Sequence, residues 1–447
     1  MSQKTIAIAA AEDFFARNIF VTDFWQTFTK ANADAEIVLI VAPDKKERFS
    51  QLCAGNNISV ETFAPARQSR LEQLVLTMAR SGIRSHTNLW SKMHAYQEGS
   101  AGFLSTTLKR LHAFLFGGSV LYKQFLRHCI LSFTDSSAAA LFEKIHPDVL
   151  ISLSVTNFDF DVPLLREAKR RSIRTVGMTR SWDSLSSHGL MRVPPDILAV
   201  QNIFLKEMAE QYQAIDVAKN PVHVVGIPNY DDLDTAAVES REVFCARHGL
   251  DPNKKLVLLC GMGEFFFKRE GDFVDIFEQL IENGSIKGPV QVLFSPNPRF
   301  KSPLERTKGK KHVHAVQAEL RHSQDLVTLL HHVDVAAMGA STIAIDASLV
   351  GTPFVCLGFD GTAKRGEVPY WLSVERLYDT YTHFEDLIAT GDVSVVKNSD
   401  ELVQKINRAI GDRSLGADGR KKIVARFVEP LGGAGKRLAE VFSNACI

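Results

Sequence analysis

The stretch Val333–Asp360 reads "VDVAAMGASTIAIDASLVGTPFVCLGFD". In order, it holds a short apolar run, Gly-Ala-Ser-Thr, a helical pattern, Gly-Thr-Pro and a second apolar run. Short apolar runs bounded by turn residues suit buried strands, and a helix between two of them is the crossover unit of a parallel sheet. Ala340, Ser341 and Thr342 thus fall where a strand gives way to a helix. The first N–H groups of a helix have no partner within it, and its dipole is positive there, so the turn can hold a phosphate. A hydroxyl cap from Ser341 or Thr342 would satisfy the same groups, and this stretch alone leaves both readings open. Asp346 lies four residues after Thr342, one turn along the same face, where a carboxylate can accept hydrogen bonds from a ribose.

The same alternation runs through most of the chain. "TIAIAA" (5–10), "AEIVLIVA" (35–42), "DVLISLS" (148–154), "IRTVGMT" (173–179), "DILAVQN" (196–202) and "VHVVGI" (222–227) read as buried strands. Amphipathic stretches such as "VPLLREAKRRS" and "IFLKEMAEQYQA" separate several of them. The second half repeats the theme with "KLVLLCGMG", "VQVLFSPNP", "HVHAV", "DVAAMG", "PFVCLG" and "VSVVK", and with helical patterns near 272–283, 323–332, 342–350 and 399–410. The reading is an α/β chain of two Rossmann-like, doubly wound domains, 1–235 and 236–415, followed by a C-terminal helical segment, 416–447, that can cross back. The polar stretch "GIPNYDDLDTAAVES" (226–240) marks the boundary.

Residues 66–147 carry helical periodicity without strand signals and read as a helical excursion in the first domain. There Lys109, Arg110, Lys123 and Arg127 accompany Phe114, Leu115, Phe116 and Phe125. Two readings fit: a basic amphipathic helix on an anionic membrane, or a helix packed on its own domain with a solvated basic edge.

Composition bounds the function. With 447 residues the chain is too long for one average core. A net charge of +1 is not the footprint of a dedicated nucleic-acid binder. Six scattered cysteines without a C-x-x-C pair read as reduced thiols of a cytoplasmic protein. No apolar stretch is long enough to span a bilayer, and the N-terminus lacks the pattern of a secretory signal.

Ligands of open parallel sheets bind beyond the carboxyl ends of the strands. Five polar turns occupy such places. The first is the turn of Ser341, Thr342 and Asp346. In "CGMGEFFFKREGD", Gly261 and Gly263 permit close backbone approach, with Glu264, Lys268 and Arg269 nearby; the alternative is a tight turn. In "FSPNPRF", two prolines stiffen a loop that presents Asn297 and Arg299. In "TRSWDSLSSHG" (179–189), Ser181, Trp182, Asp183, Ser187 and His188 share one loop. Trp182 offers a face for sugar stacking, and Asp183 or His188 a general base. In "AAEDFFARNIF", Asp13, Arg17 and Asn18 follow the first strand. Polar turns in both halves are what a ligand cleft between two such domains requires. The acidic run at Asp159 and Asp161 is a weak candidate for a metal, and no metal ligand is assigned.

"GASTIAIDASLVGTPFVCLGFD" resembles the donor-nucleotide element of bacterial glycosyltransferases of the two-Rossmann-domain, or GT-B, architecture. "SWDSLSSHGLMRVPPDILAVQN" is similar to a segment of surface-polysaccharide transferases, as are "FFARNIFVTDFW" and "HFEDLIATGDVSVVKNSDELVQKI". The resemblance implies transfer of a sugar from a nucleotide-sugar donor to a hydroxyl of a surface polysaccharide, capsule, lipopolysaccharide or other lipid-linked glycan. It implies metal-independent chemistry, no cofactor beyond the donor substrate, no nucleic-acid partner, and a cytoplasmic enzyme with room for peripheral contact at the inner membrane. Gly261, Gly263, Glu264, Asn297, Arg299, Ser341, Thr342 and Asp346 would then serve the donor. Arg17, Asn18, Ser181, Trp182 and Ser187 would serve the acceptor, and Asp183 and His188 catalysis. CDP-glycerol glycerophosphotransferases are a more distant likeness. They carry histidines where this chain has Asp183 and Asn297, which favours a sugar donor. A sugar-nucleotide 2-epimerase shares the fold, but its His-Gly-Asp-Thr and His-x-Glu-Ala-Gly elements are absent here. A scaffold that kept the fold without turnover is the non-enzymatic alternative.

Overall fold

The computed structural model describes residues 3–15, 19–53, 55, 57–156, 159–231, 233, 238–297, 303–316 and 323–446. It comprises two compact units. The first is built from residues 1–90, 103–232 and 427–447; the second is built from 91–102 and 233–426. The boundary expected at 235 lies outside the described residues.

The first unit contains β1 (Thr5–Ala9), β2 (Glu36–Val41), β3 (Ile58–Thr62), β4 (Val149–Ser152), β5 (Arg174–Met178), β6 (Ile197–Val200) and β7 (Val222–Val224). They form one parallel sheet in the order β3-β2-β1-β4-β5-β6-β7. The second contains β8 (Lys255–Cys260), β9 (Val290–Ser295), β10 (Val313–Ala315), β11 (Val335–Met338), β12 (Phe354–Leu357) and β13 (Val395–Val396). Its order is β10-β9-β8-β11-β12-β13, again all parallel. Both sheets are therefore doubly wound, and the direction of winding reverses between β1 and β4 and between β8 and β11. Near-continuous Ile, Val, Leu and Ala runs suit strands buried on both faces. Ile6 and Ile8 belong to one layer of the first core and Ala7 and Ala9 to the other, as a period of two requires. The sequence reading omitted β3. It is an edge strand, mostly half-buried, so its apolar signal is diluted.

The segment 416–447 is helical over Ala417–Phe427 and Ala434–Ala445. The helix Ala434–Ala445 belongs to the first unit, where Phe442 packs edge-on against Phe24 at 5.7 Å and Phe28 at 6.5 Å. Gly435 permits that approach, because a Cβ there would stand 1.8 Å from Asp23 Oδ1.

The excursion between β3 and β4 is helical: Arg70–Arg80, His86–Gln97, Phe103–Phe116, Val120–Ser132 and Ser136–Ile145. Of the four bases noted there, Lys109 and Arg110 are half-buried, and the other two turn inward rather than forming a solvated edge. Lys123 is 2% exposed, and the largely buried Arg127 donates to the carbonyls of Met191 and Gln213. Among the described residues, no helix is long and apolar enough to cross a membrane.

Candidate functional site

In the second unit, the winding reversal places the ends of β8 and β11 side by side. Gly339, just past β11, meets Met262, just past β8. A Cβ at 339 would lie 2.2 Å from the Met262 sulfur, so a larger residue there would displace the Met262 side chain. The Gly-Met-Gly turn and the Gly-Ala-Ser-Thr turn thus form one surface. Their backbone donors differ in availability. The amides of Met262 and Gly263 both donate to Glu270 Oε2, at 2.7 and 2.8 Å, and the amide of Gly261 donates to the Ser295 carbonyl. Glu270 is buried, so the first turn already holds its own anion.

The second turn is different. Thr342 occupies the N-cap of the helix Ile343–Val350 with αR backbone angles and makes no side-chain cap bond. Ser341 Oγ is 3.4 Å from the Ile343 amide, a weak contact. Neither hydroxyl serves as a strong cap. Asp346 is buried one turn further on, close enough to the Cys260 thiol to help burial raise its pKa. Asn297 is half-buried just beyond β9, whereas Arg299 lies outside the described residues. Glu264 is half-buried beside Gly263. The two bases that follow are engaged: Lys268 pairs with Glu98, and Arg269 with Asp272 at 2.6 Å.

A residue that the sequence reading missed stands at the same end of this sheet. Arg376 lies on the short helix Glu375–Thr380, which is tied to the end of β12 by Tyr378 Oη donating to the Leu357 carbonyl at 3.0 Å. Arg376 is 1% exposed, and its Nε and Nη2 are buried without hydrogen-bond partners. Among the described residues no carboxylate pairs with it. Burying an unpaired guanidinium is costly, and an anionic ligand would offset that cost. "LSVERLYDT" carries no motif that signals this. Beside it, burial and the charge of Arg376 hold the His94 imidazole below its ordinary pKa.

In the first unit, the loop after β5 is built as a small hydroxyl-rich turn. Ser181 Oγ donates to Asp183 Oδ1, Ser184 Oγ accepts the Ser181 amide at 3.0 Å, and His188 Nε2 stands 3.6 Å from Asp183 Oδ2. Asp183 and His188 are both partly exposed. The role expected for Trp182 is corrected: it is 8% exposed and packs edge-on against Phe427 at 5.6 Å, so it anchors the loop to the core rather than offering a face to a sugar. The Ser187 hydroxyl is buried without a partner.

Three further buried polar atoms lack partners nearby in the sheet: Ser154 Oγ, Thr179 Oγ1 and Gln201 Oε1. They follow β4, β5 and β6, three adjacent strands, and form a polar ledge along the carboxyl end. Buried polar atoms in folded proteins are nearly always bonded, so such a row marks a place for a polar ligand or ordered water. Single polar residues after strands carry no sequence signal; strand order alone aligns them. Asp13 pairs with Lys45 at 3.0 Å and Arg48 at 3.2 Å. Arg17 and Asn18 lie outside the described residues. Asp159 pairs with both Arg80 and Arg192. Asp161 accepts the Ser152 hydroxyl at 2.9 Å, and burial pushes its pKa up to about 7.

Solved structures resemble the chain over nearly its whole length. UDP-GlcNAc 2-epimerase from Neisseria meningitidis, bound to UDP-GlcNAc, matches with a TM-score of 0.54 at 13% identity, covering 99% of this chain and 100% of that one. The calicheamicin glycosyltransferase CalG4 matches at 0.52 and 14%, covering 100% and 98%. S. aureus MnaA, solved with UDP, matches at 0.53 and 10%, covering 98% and 95%. The fold is of the GT-B type. No protein-family model matches the chain, and no curated protein matches it significantly.

Proposed function

We propose that the protein is a glycosyltransferase that moves a sugar from a nucleotide-sugar donor to a hydroxyl acceptor. The observation that carries this reading is the loop of Asp183 and His188, a carboxylate-supported imidazole in the same sheet end as a ledge of unpartnered polar atoms. Those are the parts a hydroxyl acceptor needs: a base and hydrogen-bond partners. His188 Nε2 faces Asp183 at 3.6 Å, which leaves Nδ1 as the ring nitrogen to meet the acceptor hydroxyl. His188 takes the acceptor proton, and Asp183 stabilises the imidazolium that forms. The acceptor oxygen attacks the anomeric carbon, the bond to the diphosphate breaks, and the configuration inverts.

The donor belongs to the second unit. Ser341, Thr342 and the start of their helix receive the diphosphate, Arg376 neutralises it, and Asp346 and Asn297 meet the nucleoside and sugar. Positive groups placed where leaving-group charge develops supply the stabilisation, so these residues need no metal partner to act. Sequence resemblance favours a surface polysaccharide or a lipid-linked glycan as acceptor.

The likeness to UDP-GlcNAc 2-epimerases supports a second reading, epimerisation of the nucleotide sugar itself. Incubating the protein with single UDP-, GDP-, CDP- and dTDP-sugars decides between them. Transfer predicts release of nucleoside diphosphate when an acceptor is added, with inverted product. Epimerised sugar without acceptor would establish the second reading, and no nucleotide binding at all would overturn both.

A further inference from the structure

The helices Phe103–Phe116 and Val120–Ser132 expose more large apolar side chains than they bury. Leu104, Leu108, Leu111 and Leu115 recur at helical spacing along one face, and each is about half exposed or more, up to 69% for Leu104. Phe103 and Phe114 flank that stripe. On the second helix Leu121 is 78% exposed and Phe125 58%. Inward, the first helix presents Thr106 and Ala113, while the second buries Leu126 and Ile130 in the core beside Lys123, and its Arg127 is spent on backbone carbonyls.

The arrangement is firmly set. His112 Nε2 and Tyr122 Oη lie 2.6 Å apart and join the two helices. The turn between them needs Gly117, where a Cβ would come within 2.5 Å of the Ala113 carbonyl oxygen. An apolar face this continuous marks an interaction site.

Charge selects the occupant. From Gly99 to Thr134 the sequence has no Asp or Glu, and of its four Lys or Arg, Lys109 and Arg110 stay partly exposed. The exposed Arg84 places its guanidinium 4.3 Å from the centroid of Phe114, and Arg110 stacks on Trp90 at 4.1 Å, so cations border the apolar face. Apolar side chains that enter the acyl region, with cations at headgroup level and no acid to repel phosphate, fit an anionic lipid surface. We propose that this helical pair docks the protein on an anionic membrane. The inference stands independently of the donor chemistry, because it rests on the exposure of these two helices alone.

Flotation of the full-length protein with vesicles tests it, without nucleotide sugar present. The protein is expected to float with phosphatidylcholine–phosphatidylglycerol vesicles and much less with phosphatidylcholine alone. Added salt should weaken flotation without abolishing it, since only the charge component is screened. The combined change Leu104→Ser, Leu108→Ser and Leu111→Ser should leave the protein in the soluble fraction, with its melting curve and nucleotide binding retained. If that variant melts early, Leu121→Glu alone decides by the same readout. Wild-type protein that ignores anionic vesicles would overturn the proposal. So would flotation unaffected by these changes. A wild-type dimer that floats with neither vesicle, and that the triple change converts to monomer, would assign the face to a second copy instead.

Discussion

The carboxylate of Glu270 accepts the backbone amide of Gly263 at 2.8 Å. The same oxygen takes the amide of Met262, so the Gly-Met-Gly turn is neutralised from within. Glu270→Ala would leave two buried N–H groups without an acceptor, costing about 1 to 3 kcal/mol for each. The variant should melt at lower temperature and bind nucleoside diphosphate no better than wild type. Calorimetric titration checks this: tighter binding by Glu270→Ala would move the diphosphate to the Gly-Met-Gly turn.

Arg376 separates ligand binding from stability. Arg376→Met keeps much of the side-chain volume and removes a buried charge that no carboxylate pairs among the described residues. The free protein should melt at the same temperature or higher, as replacing buried charges with apolar groups often does. Affinity for nucleoside diphosphate should fall at least about tenfold, or ~1.4 kcal/mol. A lower melting temperature with unchanged affinity would make Arg376 a structural residue.

The Asp183–His188 pair predicts a graded loss of turnover. His188→Gln should lower kcat by at least about a hundredfold while leaving donor affinity intact. Asp183→Asn should also lower kcat, since it removes the charge that stabilises the imidazolium. Near-normal turnover in both variants, or a product of retained configuration, would reject the pair as the base.

Asp161 predicts a pH-dependent gain in stability. Its folded pKa is raised by burial to about 7 from an ordinary 3.8. The native state therefore holds a proton that the unfolded chain releases. The stability this contributes is complete below the ordinary carboxylate range and is lost as pH rises through about 7. Asp161→Asn retains an acceptor for the Ser152 hydroxyl and carries no charge. Its stability should be near wild type at low pH and exceed it at pH values above about 7, by on the order of 4 kcal/mol, seen as a higher melting temperature. Thermal melts in matched buffers on either side of neutrality check the sign.

Much of this protein is legible in the linear chain. Apolar runs long enough for a strand but too short for a helix core, separated by amphipathic stretches, determine two parallel α/β units, and the turns after those strands locate the candidate sites. Those are local properties, set by side-chain period and turn chemistry. Tertiary structure decided which polar groups remain available. Glu270 reaches back seven residues to occupy the Gly263 amide, whereas Ser341 and Thr342 leave their helix start without a strong cap. Trp182 turned inward onto Phe427, from the far end of the chain. Arg376 kept two nitrogens without a hydrogen-bond partner among the described residues, and Lys123 and Arg127 went inward while a row of leucines faced out. Periodicity shows that a helix has two faces, but which one is buried depends on the partners that packing brings to it, and those partners are distant in sequence.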